Sequence, residues 1–327
     1  MKSFKILLVL ASFLFLAGYA HDGFAQNYPT KPIRVVVPHG AGGAAELVIR
    51  TLQKPLQKEL KGTLFIECIG GGNTKMGVNE VIKAEPDGHT LAVFGHGAVM
   101  GYYFSGTYDY KVWEKVTPIA SLQELAYGLF EVRSDSPFKA WADLVGFAKK
   151  NPGKKLTCGG PGAGGVQQLN VVEAAKAAGV QFSYVPFAGG GPSTIALLGG
   201  HVDFRICLPS EAAPNIRDGR TRGLAVAYDR RLTELPDVPT FKEANVLGGL
   251  VIRPFSFDLW GPPNLPEELV NQIAKATEKA MKDPEFLEFC RKTASPGVFK
   301  DAKALKENMK YYEENVGPLL LAAFPRK

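Results

Sequence analysis

Short apolar runs alternate with stretches of helical periodicity along most of the chain. Residues Ile33–Val37 form a β-branched run bounded by prolines, which predicts a buried strand. In residues 44–60 the apolar side chains recur at helical spacing, which predicts an amphipathic helix. The same two patterns recur downstream: "GTLFIECIGGG" predicts a strand, and "AWADLVGFAKKNPGK" predicts a helix that ends at its Asn-Pro-Gly sequence. Strands that alternate with helices predict parallel sheets with crossover helices.

Two strand–glycine turn–helix units, at residues 33–60 and 156–178, each open one α/β half of the chain. Since no long flexible linker separates the halves, the pattern predicts two lobes joined by crossing strands, near Tyr127–Phe130 and near Phe255–Trp260. The helical tail then belongs to the first lobe. The predicted organisation is a signal peptide at 1–25, a first lobe at 26–128 plus 257–327, and a second lobe at 129–256.

The first residues follow a different pattern. Two lysines precede the apolar run Ile6–Leu16, and small residues come next, which is typical of a secretory signal peptide. The run is shorter than the ~20 residues that a membrane-spanning helix needs. Cleavage after Ala20 and cleavage after Ala25 both fit, and the second is preferred because ordered structure is predicted to begin near Tyr28. We therefore expect a periplasmic protein, with an uncleaved membrane anchor as the alternative.

Charge and cysteine content exclude some classes of function. The net charge is +6, and the basic residues are spread out, so the concentrated stripe of a nucleic-acid surface is missing. A mild positive charge suits an anionic small ligand. The four cysteines match no zinc pattern, and each is either a small buried hydrophobe or half of a disulfide: Cys68, Cys158, Cys207 and Cys290.

Two glycine-rich turns, "HGAGGAA" at His39–Ala45 and "GGPGAGG" at Gly159–Gly165, stand where a strand becomes a helix. The first N–H groups of a helix lack internal partners, and the helix dipole is positive there. Glycines let a ligand approach the backbone closely, so each turn is a candidate anion site. Facing each other across a cleft, the two turns would grip one small anion from both sides. The alternative is that the glycines only make tight turns.

The same turns also fit the glycine fingerprint of dinucleotide-binding folds. "GAGGAA" from Gly40 and "GPGAGG" from Gly160 match its spacing, and Glu67 ends the second strand where a ribose-binding acid would lie. An inserted Pro38-His39 and the predicted export both disfavour this interpretation. An exported NAD(P)-binding oxidoreductase is therefore the alternative function. A P-loop is excluded, because no Gly-Lys-Ser/Thr follows either turn.

Catalytic patterns are scarce. The histidines form no pair with metal-ligand spacing, and the chain has no Gly-x-Ser-x-Gly elbow. Cys158 precedes the second glycine turn, but its neighbours favour a strand residue over a reactive thiol. His39 and His96 follow strands and are candidates to line the cleft. We predict that the protein is not an enzyme and uses no metal or cofactor.

Four segments together carry a family resemblance: "YPTKPIRVVVPHGAGG", "EPDGHTLAVFG", "VPFAGGGPSTIALLGGHVDF" and "LPDVPTFKEA". From about Tyr28 to its end the chain resembles the TctC/Bug family, the periplasmic solute-binding proteins of tripartite tricarboxylate transporters. The resemblance implies an α/β, two-lobed periplasmic-binding-protein fold of type II, with mixed sheets flanked by helices. It also implies closure on a small carboxylate, held by backbone groups of two glycine loops, partly through bridging waters.

Several side chains depart from the family's pattern. Glu46 stands where the family has an aspartate, Arg50 matches the family's arginine, and Ala188 replaces a lysine. The resemblance therefore implies a carboxylate. Glu46 disfavours an amino acid, because some family members use the aspartate at this position on a ligand amino group, and Phe187 and Ala188 favour a more apolar or aromatic acid. The candidate ligand-binding residues are His39, Gly40, Ala41, Gly42, Gly43, Ala44, Glu46, His96, Gly160, Pro161, Gly162, Gly164, Gly165, Gln168, Phe187, Ala188 and Gly189.

Together, these patterns predict a monomeric extracytoplasmic binding protein that captures a small carboxylate: a di- or tricarboxylate or an aromatic acid. Its partners would be the permease subunits of a tripartite tricarboxylate transporter, with a sensor kinase as the alternative partner. Binding would close the lobes by hinge motion at the crossing strands. A bulky replacement of Gly42 or Gly162 is predicted to abolish binding without unfolding the protein.

Overall fold

Two separate β-sheets organise residues 28–247 and 255–325, the parts of the chain that the computed structural model describes. The predicted signal peptide lies outside these residues. Eleven strands occur in the described ranges: β1 Ile33–Val37, β2 Leu64–Cys68, β3 Thr90–Gly95, β4 Thr117–Leu125, β5 Leu129–Arg133, β6 Leu156–Pro161, β7 Phe182–Phe187, β8 Phe204–Cys207, β9 Thr221–Val226, β10 Phe255–Gly261 and β11 Lys300–Asp301.

The first sheet has the order β11-β4-β10-β3-β1-β2. Strand β1 pairs in parallel with β2 and β3, whereas β10 runs antiparallel between β3 and β4. The second sheet has the order β7-β6-β8-β5-β9, in which β6 is parallel to β7 and β8 and β5 is antiparallel to β8 and β9. Mixed sheets of this kind confirm the fold class that the resemblance implied.

Helices cover these sheets and supply most of the connections between parallel strands. They are α1 Ala44–Leu60, α2 Lys75–Ile82, α3 His96–Phe104, α4 Trp141–Lys150, α5 Val166–Ala178, α6 Gly190–Leu198, α7 Pro209–Arg217, α8 Glu267–Ala280, α9 Pro284–Lys292, α10 Ala302–Tyr311 and α11 Gly317–Ala323. Helix α1 buries Val48, Ile49, Leu52 and Leu56, the apolar stripe that its periodicity predicts.

Three helices and one helix end differ from the sequence-based prediction. Helices α3 and α7 follow the carboxyl ends of β3 and β8. The periodicity of Asp301–Val316 predicts one tail helix, but only α10 is α-helical there; a π-helical turn occupies Tyr312–Val316, and α11 lies beyond the predicted end. Pro318, in the first turn of α11, has no N–H to donate, so an unbroken hydrogen-bond ladder cannot pass through it.

The chain passes from the first sheet to the second at Ala126–Gly128, between β4 and β5. There Tyr127 N–H donates to Ala227 O at 3.2 Å, and Ala227 N–H donates to Gly128 O at 2.7 Å. The largely apolar run Gln123–Val132 predicts a single strand from sequence, but it is divided between two strands in different sheets, β4 and β5. The return to the first sheet begins at Phe255, after residues outside the described ranges. The domain boundaries stay a prediction.

All four cysteines are free thiols in the structure, and Cys158, Cys207 and Cys290 are buried. Desolvation by burial raises the pKa of the Cys158 and Cys207 thiols, which keeps them protonated and unreactive. They pack as small apolar side chains, in agreement with one of the two interpretations left open by the sequence.

Candidate functional site

A cavity of about 700 Å³ lies between the two sheets, at the ends where the parallel strands finish. Ligands of open α/β sheets gather at such carboxyl ends. Both sheets contribute to its walls. The lining residues are Pro38, His39, Gly40, Gly43, Ala44, Ala45, Gly70–Thr74, Gly95, Ala98, Tyr102, Pro161, Gly162, Ala163, Gln167, Pro186–Gly190, Leu208, Glu211, Phe255 and Phe257.

The first glycine turn connects β1 to α1, as predicted from its sequence. Gly42 has φ +80°, which only glycine adopts without strain, and its N–H donates to Glu46 Oε2 at 2.6 Å. Burial alone would raise the pKa of Glu46. The Gly42 N–H and the Arg50 guanidinium outweigh it and hold that pKa below its usual value. Glu46 is thus committed to bracing the turn rather than to contacting a ligand.

The second glycine turn connects β6 to α5 and is built in the same way. Gly164 N–H donates to Gln168 Oε1 at 2.6 Å, the same spacing of four residues that joins Gly42 to Glu46. Gly162, at φ +54°, donates its N–H to Phe187 O at 2.9 Å. Several turn amides are therefore used inside the turns, and the side chain at the third position of each helix, Glu46 or Gln168, braces its turn.

Each turn meets a different element of the opposite lobe. Gly40 lies against Ala188 O, in the glycine loop before α6, since a Cβ on Gly40 would be 3.4 Å from that oxygen. The second turn lies against α3, because a Cβ on Gly162 would meet Tyr102 Oη at 2.3 Å. Asn73 Nδ2 donates to Ala163 O at 3.3 Å across the cleft. The turns border one cavity, but their nearest neighbours across it are α3 and the loop before α6.

The structure brings nine of the seventeen predicted site residues into the cavity wall. These are His39, Gly40, Gly43, Ala44, Pro161, Gly162, Phe187, Ala188 and Gly189. Seven others lie in the two turns, in β6 or in the first helical turns without lining the cavity: Ala41, Gly42, Glu46, Gly160, Gly164, Gly165 and Gln168.

His96 lies elsewhere, in correction of its assignment to the ligand site. Its side chain has no solvent exposure, and its Nδ1 lies 2.8 Å from Asp258 Oδ2. Its Nε2 lies 3.2 Å from Asn308 Nδ2, and its ring packs edge-on against Tyr312. Because β3 is the third strand from the edge of its sheet, a side chain just beyond its end is enclosed by β10 and the C-terminal helices. His96 is a buried structural residue.

We expect His96→Asn to lower the free energy of unfolding by about 1 to 3 kcal/mol, because the Asn308 amide loses its partner at Nε2. Asparagine keeps a polar group near the position of Nδ1, so Asp258 stays partnered. Urea unfolding measures the loss, and calorimetric titration should give an unchanged ligand affinity. A large loss of ligand affinity with an unchanged free energy of unfolding would show that His96 belongs to the ligand site after all.

His39 does line the cavity, and its Nδ1 has no hydrogen-bond partner among the described residues. Burial lowers the pKa of His39 to about 4, so the imidazole is neutral near pH 7. A neutral ring carries one N–H donor and one acceptor. It can therefore donate to an anionic ligand without placing a full charge beside it.

Sequence reasoning missed several lining residues. Gly70–Thr74 follow the carboxyl end of β2, so the rule that singled out the other glycine turns applied to them as well. Tyr102 comes from the unpredicted helix α3, and Gln167 Nε2 is a buried donor without a recorded partner. Glu211, on the unpredicted helix α7, has no sequence signal at all, because only tertiary packing brings it to the cavity.

Glu211 is the ionisable acid in this wall. Leu208 N–H donates to its Oε2 at 3.2 Å, and the Ala44 N–H at the start of α1 also acts on the carboxyl. Burial raises the pKa of Glu211, Arg205 opposes that shift, and Glu131 adds to it. Glu211 therefore places a carboxyl group with a raised pKa next to the start of α1.

The remaining wall is largely apolar and aromatic. Phe187 and Leu208 lie on the side of the second sheet, and Ala98, Tyr102, Phe255 and Phe257 on the side of the first. Desolvation raises the pKa of Tyr102 to about 12, so its hydroxyl stays neutral. Such a wall suits a hydrocarbon portion of a ligand, with polar groups confined to the turns, His39, Gln167 and Glu211.

The dinucleotide interpretation loses its acidic residue in the structure. Glu67 does not line the cavity, and its Oε2 accepts from Arg34 Nε at 2.7 Å on the surface. Across residues 28–247 and 255–325, no cluster of three or more histidine, cysteine, aspartate or glutamate side chains is arranged to hold a metal ion. In the same ranges, no helix is long and apolar enough to cross a membrane.

A ligand-sized cavity between two sheets, bordered by glycine turns at helix starts, defines the class of two-lobed binding proteins. The chain belongs to the TctC family, described as the tripartite tricarboxylate transporter family receptor, whose model matches residues 48–319. This confirms the resemblance and the fold. The family consists of periplasmic substrate-binding proteins, not enzymes.

Known relatives and structures agree with this membership. A UPF0065 protein from the gbd 5′ region of Cupriavidus necator is 33% identical over 277 residues, covering 84% of this chain and 81% of the relative. The periplasmic binding protein BugD has a TM-score of 0.83 and 25% identity, with 90% of this chain and 98% of BugD covered. MatC from Rhodopseudomonas palustris with bound malate has a TM-score of 0.80 at 24% identity, covering 90% and 100%.

Proposed function

We propose that this chain is a periplasmic receptor that captures a small carboxylate between its two lobes and delivers it to a membrane permease of the tripartite tricarboxylate type. One observation carries the proposal. The start of α1 opens directly into the cavity, which is lined by its cap residue Gly43 and by Ala44 and Ala45 of its first turn. Helix starts present free N–H groups and a positive dipole end to anions.

The chemistry of the rest of the wall supports a carboxylate with a hydrocarbon body. Gly43 caps α1 without a side chain, so no side chain of the cap blocks the approach to the first turn. The neutral His39 and the unpartnered amide of Gln167 supply further donors. Phe187, Phe255 and their neighbours supply the apolar surface. MatC, which shares the fold, was solved with malate, and we carry over that ligand class, not malate itself.

Lobe closure is the second part of the proposal. The lobes approach each other closely where glycines face each other, as Gly101 faces Gly165 and Gly42 faces Gly191. A ligand that contacts both lobes favours the closed state by its higher affinity for it. The hinge is the crossing at Ala126–Gly128 together with the return strand. The closed form of the monomer is what a permease, or alternatively a sensor kinase, would recognise.

A thermal-unfolding screen followed by calorimetric titration tests the proposed function. We expect one of malate, adipate, citrate or benzoate to raise the unfolding temperature of the mature chain, residues 26–327. At a hundredfold excess over Kd the stabilisation is about 2.7 kcal/mol. Calorimetric titration should then show one site and no turnover. Stabilisation by NAD without any response to these four carboxylates would contradict the proposal and favour the oxidoreductase.

A further inference from the structure

The carboxyl group of Glu211 occupies the same helix start that the proposed function assigns to the ligand. Glu211 lies in the first turn of α7 in the second lobe, and it lines the same cavity as Ala44 at the start of α1 in the first lobe, whose N–H acts to lower the pKa of the Glu211 carboxyl. It is packed so closely on Gly190 that a Cβ there would lie 1.8 Å from Oε1. A carboxylate bound at the start of α1 therefore shares that amide region with Glu211.

The charged groups around Glu211 leave little to balance a second anion. Arg205 on β8 is the cation behind it, with Glu131 on β5 and the Cys207 thiol alongside. The Arg205 guanidinium already donates to Glu131 Oε1, and its Nη1 donates to Gly190 O at 3.2 Å. The carboxyl groups of Glu131 and Glu211 thus share the Arg205 guanidinium, which already donates to Glu131 and to Gly190 O. On the cavity side the other titratable neighbours are the neutral His39 and Tyr102.

We infer that Glu211 binds the ligand as the neutral acid and donates its O–H hydrogen to the ligand carboxylate, so that each carboxylate enters together with one proton from the solvent. This inference rests on the proposed function. Two ionised carboxylates within hydrogen-bonding reach repel each other, whereas a pair that shares one proton forms a short, charge-assisted hydrogen bond. The raised pKa of the Glu211 carboxyl acts in the same direction.

The linkage has a definite sign. Below the pKa that Glu211 has in the free protein, the acid is already protonated and affinity does not change with pH. Above that pKa, binding must take up a proton, so affinity falls by up to about tenfold for each unit of pH. A ligand held by neutral donors alone has no such dependence once it is fully ionised.

Calorimetric titration of the mature chain with malate, adipate, citrate and benzoate tests the inference. Titrations in HEPES and in Tris at several pH values between about pH 6 and about pH 9 give proton uptake from the difference in heats, and we expect uptake that rises with pH toward one proton per bound ligand molecule. Glu211→Gln keeps a neutral donor of similar shape. It should bind without proton uptake, with an affinity that stays constant between about pH 6 and about pH 9 and exceeds the wild-type affinity at the upper end.

His39→Gln is the matched control, because it removes the titratable imidazole that lines the same cavity. The inference requires uptake to persist in this variant. Uptake that is lost in His39→Gln and kept in Glu211→Gln would assign the proton to His39 and overturn the inference. Binding with no proton exchange and the same pH profile in Glu211→Gln would also overturn it, while the proposed function stands. If none of the four carboxylates binds the wild-type chain, both fail.

Discussion

Replacing Gly101 by leucine is expected to weaken carboxylate binding by about tenfold to about a hundredfold, which corresponds to about 1 to about 3 kcal/mol of overpacking in the closed state. Gly101 lies within α3 and faces the second lobe. Its Cβ would lie 3.0 Å from Gly165 Cα and 3.2 Å from Val166 N, and neither backbone atom can rotate away. Because these two atoms belong to the other lobe, the proposed opening relieves the contact, and we expect the cost to fall on the closed state.

Gly146→Leu is the matched control for this prediction. Gly146 also lies within a helix, α4, but a Cβ there meets no atom within 4 Å. Leucine favours a helix over glycine by roughly 0.5 to 1 kcal/mol at such a site, so both variants should keep or gain stability. Calorimetric titration measures the affinity, and small-angle scattering with ligand reports closure. Normal affinity in Gly101→Leu would refute closure of the lobes on this face.

Replacing Arg205 by methionine should lower the free energy of unfolding by about 3 to 5 kcal/mol, since it leaves a buried carboxylate without its partner. Arg205 has no solvent exposure and donates to Glu131. Its Nη1 also donates to Ser193 Oγ at 3.1 Å and to Thr194 Oγ1 at 2.7 Å, which fixes the start of α6. Urea unfolding followed by circular dichroism measures the loss.

Two further variants separate charge burial from simple truncation. Glu131→Leu combined with Arg205→Met removes both charges, and it should recover a large part of the lost stability. Arg133→Met removes an exposed arginine on the same strand as Glu131, one that pairs with Asp135 at 2.9 Å. It should cost about 1 kcal/mol or less. Equal losses in Arg205→Met and Arg133→Met would show that the buried pair has no special role.

Local patterns made much of the fold predictable. Strand β1 and helix α1 agree with the predicted segments because β-branched runs and 3.6-residue periodicity are signals carried within one element. Helix α3 escaped detection because it is buried on nearly all sides. Seven of its nine residues are buried, so no polar face marks a helical period. A chain crossing inside an apolar run, such as Ala126–Gly128, is equally hard to detect in the sequence pattern.

The candidate site was predictable where the residues of one glycine turn, contiguous in sequence, are by themselves enough to form an anion site. His39, Gly43 and Gly162 reached the cavity on that basis. His96 shows the limit of the same rule. It follows a strand as His39 does, but burial by β10 and α10 is decided by segments far along the chain. Glu211 was unpredictable for a similar reason, because only tertiary packing brings it into the same cavity wall as Ala44.

The position of β10 has a consequence for how the polypeptide reaches its final form. Asp258 pairs with Phe94 on one side and with Ser121 on the other, so the first sheet is split until residues beyond the entire second sheet have arrived. The second sheet, from Leu129 to Val226, needs no such distant partner. Assembly of the first lobe is therefore a late event of high contact order, and such events are slow. The earliest strands of the chain therefore wait longest for their final partner, so we expect the first sheet to form after the second.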